Sequence, residues 1–470
     1  MIEKGYIQVL NEKGETIEMT KNWQIPPDVV DYIVYKDGNI VKTKNTRAGK
    51  VEYEDSDLGE VLGYLAEILP EGGGSIYIAS GTYNIHKSVE FWQHGIKLIG
   101  DRISYGTRIF PQDDFTGDAV FVFKRPSTGV GLGWEIRNIY IDFQGRDVAN
   151  GIEMYTPYDN VLIENVRIVN VGDTHSALVI DRNPEGPTDT GQSLTAINVY
   201  ASHKNYTATA PVVYINRLQE AVFINLKVFG GPSTTEQYSP TSAVFVNGSR
   251  GLTFLGCSFA YAKRGIEIRA DDRKTQGILI DGATFEGTEE YSLYAEGNSS
   301  YPIERLYLTN PRFESPSAGV YLDYVIHSTI DVKLKDVYVG SNVKETLIIN
   351  RRDQYSGTFG KYGNAFISWP DYYNKYITVW PGIAIAGSDM QTEVITMKNN
   401  GDVTATGKVA GQSGLITKVD VGDYGGNFAN YTPPAGEEGL MVIAIDTNST
   451  SPGKRLYIYA NGQWNYVDLT

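Results

Sequence analysis

One short strand pattern returns eight times through the middle of the chain. GIEMY (151–155), ALVID (177–181), VVYIN (212–216), AVFVN (243–247), GIEIR (265–269), SLYAE (292–296), GVYLD (319–323) and TLIIN (346–350) align without gaps. The second and fourth residues are apolar in every copy, from Ile152 and Met154 to Leu347 and Ile349. Side chains alternate across a strand, so all these positions share one face, and that face is the predicted core. A second series lies between the copies: IRNIYI (136–141), IENVRI (163–168), AINVYA (196–201), FINLKV (223–228), FLGCSF (254–259), IDGATF (280–285), LTNPRF (308–313) and LKDVYV (334–339). Its third residues are Asn138, Asn165, Asn198, Asn225, Gly256, Gly282, Asn310 and Asp336, separated by 26 to 33 residues. Asn and Gly at a recurring place in a strand mark a bend that needs the left-handed backbone conformation.

Repeats of about 28 residues, each with two or three strands and almost no helix, predict a solenoid in which every turn of chain pairs with the turns before and after it. The fold class is all-β, a right-handed parallel β-helix of about ten coils. Fifty glycines and 33 tyrosines with 21% charged residues suit many short strands joined by tight turns. A solenoid core grows by stacking, so 470 residues need not split into several compact cores. The one predicted helix is DLGEVLGYLAEIL (57–69). Asp57 is placed to cap it, Glu60 sits at the capping-box offset, and Val61, Leu62, Leu65, Ile68 and Leu69 form an apolar stripe. Standing before the first coil, it is suited to cover the open amino end of the solenoid.

Four regions follow. Residues 1–55 read as a small β module or attachment arm, with Asp37-Gly38 as a hairpin turn in YIVYKDGNIVKTK (32–44). Residues 56–350 hold the capping helix and β-helix. Residues 351–410 form a connector with a hairpin at Asn400-Gly401, and 411–470 a carboxyl-terminal β module for trimerisation or binding, with a turn at Asn461-Gly462.

Lys and Arg number 41 against 56 Asp and Glu, a formal charge of −15, which disfavours nucleic acid and anionic lipid as partners. No stretch has the ~20 apolar residues of a membrane-spanning helix, and MIEKGYIQVLNEKGE has no apolar signal-peptide core. Neither membrane insertion nor a signal peptide is expected. A single cysteine, Cys257, reads as a buried apolar residue, and the five histidines never fall at metal-ligand spacing, so no metal and no cofactor are expected. His175 with Asp173 is a loop pair capable of acid/base work.

With the second and fourth residues of the aligned strand inward, the third and fifth point outward in two columns. One reads Glu153, Val179, Tyr214, Phe245, Glu267, Tyr294, Tyr321 and Ile348; the other Tyr155, Asp181, Asn216, Asn247, Arg269, Glu296, Asp323 and Asn350. Aromatic rings beside carboxylates and amides suit a glycan groove, and Tyr155, Asp181, Tyr214, Phe245, Asn247, Tyr294 and Tyr321 are the candidate binding residues. Strands stack at about 4.8 Å, so neighbours in a column can hold carboxylates near the separation of a retaining glycosidase pair. Glu267 and Glu296 are the acid/base candidates, Asp323 the nucleophile or second base, and Arg269 the group that orients them. Asp181 with Glu153 forms an alternative cluster.

The opening GGGSIYIASGTYNI (72–85), the following IKLIGD (96–101) and the repeat over 76–350 resemble bacteriophage tailspikes built on the pectate-lyase-like β-helix. The carboxyl-terminal MKNNGDVTATGKV and LYIYANGQWNYVDL resemble modules at the ends of tail fibres. The resemblance implies a homotrimer on a virion tail, attached through its amino-terminal region, that acts outside the cell by binding a host surface polysaccharide and cleaving it, with hydrolysis favoured over elimination. Asp271-Asp272 resembles the paired aspartates of polygalacturonases, but no Gly-His-Gly or Arg-x-Lys accompanies it, which speaks against pectin chemistry. Two other readings stay open: a non-catalytic glycan-binding adhesin or structural tail fibre, and a free-standing polysaccharide lyase.

Overall fold

The computed structural model describes residues 30–102, 106–125, 131–182, 191–232, 238–314 and 319–331, and beyond these the short segments named below. Residues 1–329 with 334–343 form one unit; 330–333 with 344–470 form another.

The first unit is a right-handed parallel β-helix. Each coil contributes to three ladders. Ladder A stacks Ser75–Ile78, Lys97–Gly100, Glu135–Arg137, Val161–Glu164, Leu194–Ile197, Val222–Ile224, Thr253–Leu255, Thr275–Asp281 and Ile303–Thr309, all parallel. Ladder B runs through Ile139–Asp142, Arg167–Val171, Tyr200–His203 and Lys227–Phe229, and ladder C through Asn150–Tyr155, Leu178–Asp181, Val213–Asn216 and Ser239–Asn247. In Thr107–Phe123, Ser258–Arg269 and Thr284–Glu296 one long bent strand serves both B and C. Gly319–Asp323 continues ladder C.

Between A and B the chain turns on the predicted residues. Asn138, Asn165, Asn198, Asn225, Gly256, Gly282 and Asn310 all have φ between 50° and 63°, while Asp336 lies outside the described residues. Four of the asparagines form their own ladder: Asn165 Nδ2 donates to Asn138 Oδ1 at 3.2 Å, Asn198 to Asn165 at 3.0 Å, and Asn225 to Asn198 at 2.9 Å. Asn thus tolerates the bend and also joins it to the next. Asn198→Ala loses two of these bonds and keeps a left-handed residue with a Cβ, so destabilisation on the order of 2–3 kcal/mol is expected. Asn198→Gly should recover about 1 kcal/mol of it in a urea titration, because glycine accepts the φ without strain.

The inward face of ladder C is apolar. Ile152, Met154, Leu178, Ile180, Val213, Ile215, Val244, Val246, Ile266, Ile268, Leu293, Ala295, Val320 and Leu322 are fully buried and meet rung to rung in the aligned register. Ladder A adds Phe223 stacked on Phe254 at 4.8 Å, with Phe259 edge-on to Phe254 at 6.1 Å. Cys257 is buried among them, and burial pushes its thiol up to about 12, which makes it inert.

The eighth copy departs from the predicted alignment. Val337–Val339 pairs parallel with Gly319–Asp323 in ladder C, placing Tyr338 opposite Tyr321. The VYV end of LKDVYV therefore stands in ladder C and not in ladder B. TLIIN belongs to Thr346–Arg351, which runs antiparallel to Gly363–Ser368 in the second unit. A two-residue alternation is the same for parallel and antiparallel partners, so the pattern alone could not separate the two. The second unit continues with antiparallel strands Lys375–Val379, Gly382–Ala386, Glu393–Lys398 and Val403–Ala405. A separate four-stranded sheet orders Ile416–Asp420, Met441–Ile445, Lys454–Ala460 and Gln463–Leu469. The Asn400-Gly401 and Asn461-Gly462 turns lie outside the described residues.

Helix α1 (Leu58–Ile68) is N-capped by Asp57, whose side chain accepts from the Gly59 N–H at 3.0 Å. Val61, Leu62, Leu65 and Leu69 are buried, but Ile68 is 40% exposed and falls outside the stripe. Glu60 pairs with Lys87 at 2.6 Å, on strand Gly81–Phe91 beneath the helix. Buried Gln93 fastens the helix end: side-chain Nε2 donates to the Ala66 and Leu69 carbonyls, while the Gln93 backbone carbonyl accepts from Trp134 Nε1 at 2.7 Å. Tyr32–Asp37 and Ile40–Asn45 form the expected hairpin, but Asp37 faces Ile40, so the turn is Gly38-Asn39 and Gly38 takes φ 62°. Its strand Tyr32–Asp37 pairs parallel with Ser75–Ile78 and so begins ladder A.

Candidate functional site

The outward columns of ladder C exist as registered rows. Glu153, Val179, Tyr214, Phe245, Glu267, Tyr294 and Tyr321 succeed one another across adjacent strands, as do Asn216, Asn247, Arg269, Glu296 and Asp323. Ile348 and Asn350 leave these rows with the strand that carries them, and Tyr338 takes the next place after Tyr321.

Glu267, Arg269 and Glu296 come together. Arg269 Nη1 donates to Glu296 and lies 3.9 Å from Glu267 Oε1; its Nε reaches Asp271 at 3.1 Å. Burial works against the Arg269 charge, but Asp271, Glu296 and Glu267 outweigh it and hold the guanidinium above its ordinary value. Glu267, with a side chain only 13% exposed, also binds Arg264 Nη1 at 2.7 Å and the Ser242 hydroxyl at 2.5 Å. Glu296 accepts a further 2.7 Å bond from the Tyr294 hydroxyl. Asp323 follows Glu296 in register but is bound elsewhere, by the Asn342 amide at 3.1 Å and the Tyr324 N–H at 3.0 Å.

Sequence reasoning missed Arg264. Its guanidinium lies 3.7 Å from the Tyr294 ring centroid while binding Glu267 and Glu290. It sits where the register shifts between Ala262 and Arg264, so the column count could not find it. The signal available was its i,i+3 spacing to Glu267.

The aromatic rows present ring edges more than faces. Tyr294 stacks on Tyr321 at 4.5 Å and 9°, Tyr321 on Tyr338 at 4.6 Å and 6°, and Tyr214 on Phe245 at 5.5 Å and 6°. Inner faces are covered by the next ring, and Arg264 covers Tyr294. What these rings offer outward is an apolar edge with hydroxyls, and Tyr338, 52% exposed, ends the stack.

Nearer the amino end, Glu153 is 4% exposed and takes bonds from Asn150 Nδ2 at 2.6 Å and the Tyr155 hydroxyl at 2.9 Å. Tyr155 is opposite Asp181. Burial raises the Asp181 carboxyl above its usual range, with bonds from the Arg182 N–H and Asn216 working against it. Asn216 Nδ2 donates to Asp181 at 2.8 Å and Asn247 Nδ2 to Asn216 at 3.4 Å, so these amides join into a relay along the column.

His175 and Asp173 are not brought together as a pair. His175 Nε2 is 4.0 Å from Asp147, and Asp173 is taken up by Asn205 and Thr207. Asp272 pairs with Arg217, so the two adjacent aspartates serve arginines of different coils. No group of three metal-ligating side chains occurs among the described residues.

The fold defined by these ladders is a right-handed parallel β-helix. In shape the chain is similar to ORF18 of a Geobacillus virus, at 12% identity over 88% of this chain and 83% of that one, with a TM-score of 0.36. It is also similar to the gp42 tailspike of an Acinetobacter phage, at 11% identity over 86% and 78% of the two chains, TM-score 0.36. A third is DFA-IIIase from Arthrobacter chlorophenolicus without its lid, at 12% identity over 62% and 88%, TM-score 0.34. No family model matches the sequence, and no curated protein matches it.

Proposed function

We propose that this chain is a tailspike-like receptor-binding protein that holds a bacterial surface polysaccharide along ladder C. The observation that carries the reading is the Glu267–Arg269–Glu296 cluster beside the Tyr294–Tyr321–Tyr338 stack. It sets fixed hydrogen-bonding groups and apolar edges on successive rungs, a repeating surface for a repeating ligand. Attachment to a virion through the amino-terminal region and association as a trimer belong to the same reading.

Depolymerisation is a second reading, and one observation favours where it would act. Glu267 and Glu296 have their oxygens committed to arginine, to the Ser242 hydroxyl and to the Tyr294 hydroxyl. Asp181 is the carboxyl that burial pushes toward holding a proton, next to Tyr155 and Glu153. Host exopolysaccharide should be incubated with wild type, Asp181→Asn and Glu296→Gln, following reducing ends and the absorbance of an unsaturated uronate. Acid catalysis at Asp181 predicts a loss of turnover of about 10²-fold or more in Asp181→Asn with binding kept. Unchanged turnover removes Asp181, and no turnover by wild type on a glycan it binds leaves the adhesin reading.

A further inference from the structure

The outward row of ladder B is opposite in character to that of ladder C. In register it reads Arg108, Tyr140, Arg167, Tyr200 and Lys227, cation and ring alternating, with no carboxylate at these five positions in a chain of formal charge −15. The guanidinium of Arg108 lies 5.0 Å from the Phe110 ring and 5.3 Å from Tyr140; that of Arg167 lies 5.6 Å from Tyr140 and 4.6 Å from Tyr200. Among the described residues neither guanidinium has a carboxylate within 4.0 Å, and the Nε of each is buried without a hydrogen-bond partner. Arginines elsewhere on the β-helix do pair with acids, Arg146 with Asp113 and Arg217 with Asp272, and farther along this row Arg312 pairs with Glu314. Asp142, the acid near this row, is 8% exposed and takes bonds from the Tyr140 hydroxyl, the Gln144 N–H and Asn170 Nδ2.

Rings on both sides hold a guanidinium flat and lower the entropy lost when it binds, while its donors stay uncommitted. Such a fork suits a carboxylate or sulfate. Arg108, Arg167 and Lys227 recur on every second rung, about 10 Å apart at the usual strand spacing. A charged group repeated along an extended chain would meet them in turn.

We propose that the ladder B row binds a linear polyanionic glycan, its acidic groups taken by Arg108 and Arg167 with Lys227 beyond them. This rests on the reading of the chain as a polysaccharide binder and names the class of polysaccharide. Locally the cationic row outweighs the negative net charge, because at physiological salt charges farther than ~8 Å are largely screened.

The test is calorimetric titration of the full chain at low salt with an oligogalacturonate long enough to span the row, a maltooligosaccharide of equal length, host exopolysaccharide and a single-stranded oligonucleotide. Wild type should bind the oligogalacturonate at least tenfold tighter than the neutral oligomer. Arg108→Gln/Arg167→Gln should lose at least tenfold and show a shallower salt dependence, while Arg47→Gln, on the amino-terminal hairpin with Asp31 as its partner, should not. If the double variant does not fold, Arg108→Lys/Arg167→Lys, which keeps charge and bulk but not the fork, should lose severalfold. The inference is overturned by equal oligogalacturonate affinity in wild type and the folded variant, or by tighter binding of the oligonucleotide. Binding of neutral but not acidic sugar defeats this inference alone; binding of no glycan, host material included, defeats the polysaccharide reading as well.

Discussion

Replacing Phe254 with alanine is expected to lower stability by about 3–5 kcal/mol, the usual range for removing a buried phenylalanine. Its ring fills the ladder A side of the core, stacked on Phe223 and met edge-on by Phe259. Neighbouring rungs are held by backbone bonds on both sides, so the walls cannot close over the gap and the cavity term stays large. Ile224→Ala is the matched control. Ile224 stands on the next strand of the same ladder but points outward and is 37% exposed, and such a change usually stays within about 0.5 kcal/mol. Urea unfolding followed by circular dichroism should separate the two clearly. Equal midpoints would mean that the inward and outward rows are misassigned.

The second large effect is expected at Arg269. Arg269→Met keeps much of the apolar stem but leaves Glu296 with only the Tyr294 hydroxyl among the described residues, and Glu267 with Arg264 and Ser242. The two glutamates then face each other without the cation that separates them. If ladder C binds as proposed, affinity for the host polysaccharide should fall at least tenfold, about 1.4 kcal/mol. Isothermal titration calorimetry at neutral pH checks it. Retained affinity at neutral pH would place the ligand elsewhere on the β-helix.

Much of this was legible because a parallel β-helix writes its geometry in period two. Inward pairs such as Val244 and Val246 fixed the register of ladder C, and register alone put Arg269 between Glu267 and Glu296. The bends were legible because few side chains besides Asn tolerate φ near 55°. Other features depend on what alternation does not encode. TLIIN and the strand holding Tyr338 look alike as sequence, and only partner choice separates them. Gly38-Asn39 replaced Asp37-Gly38 because both dipeptides carry the glycine that a tight hairpin needs. Arg264 was hidden by a shift in register. The stacking of Tyr294 on Tyr321 was not legible either, because it needs the one-strand spacing of the column as well as the alternation.

The seal at the amino end has a kinetic consequence. Helix α1 lies over strand Gly81–Phe91, while Tyr32–Asp37 pairs with Ser75–Ile78, so the first rungs of the sheets have their outer edges occupied by segments made earlier in the chain. Each later coil therefore finds a finished template on one side only. Coils added in the order of synthesis would each meet a finished template, as a crystal grows outward from a seed, and a partly made chain would already be closed behind.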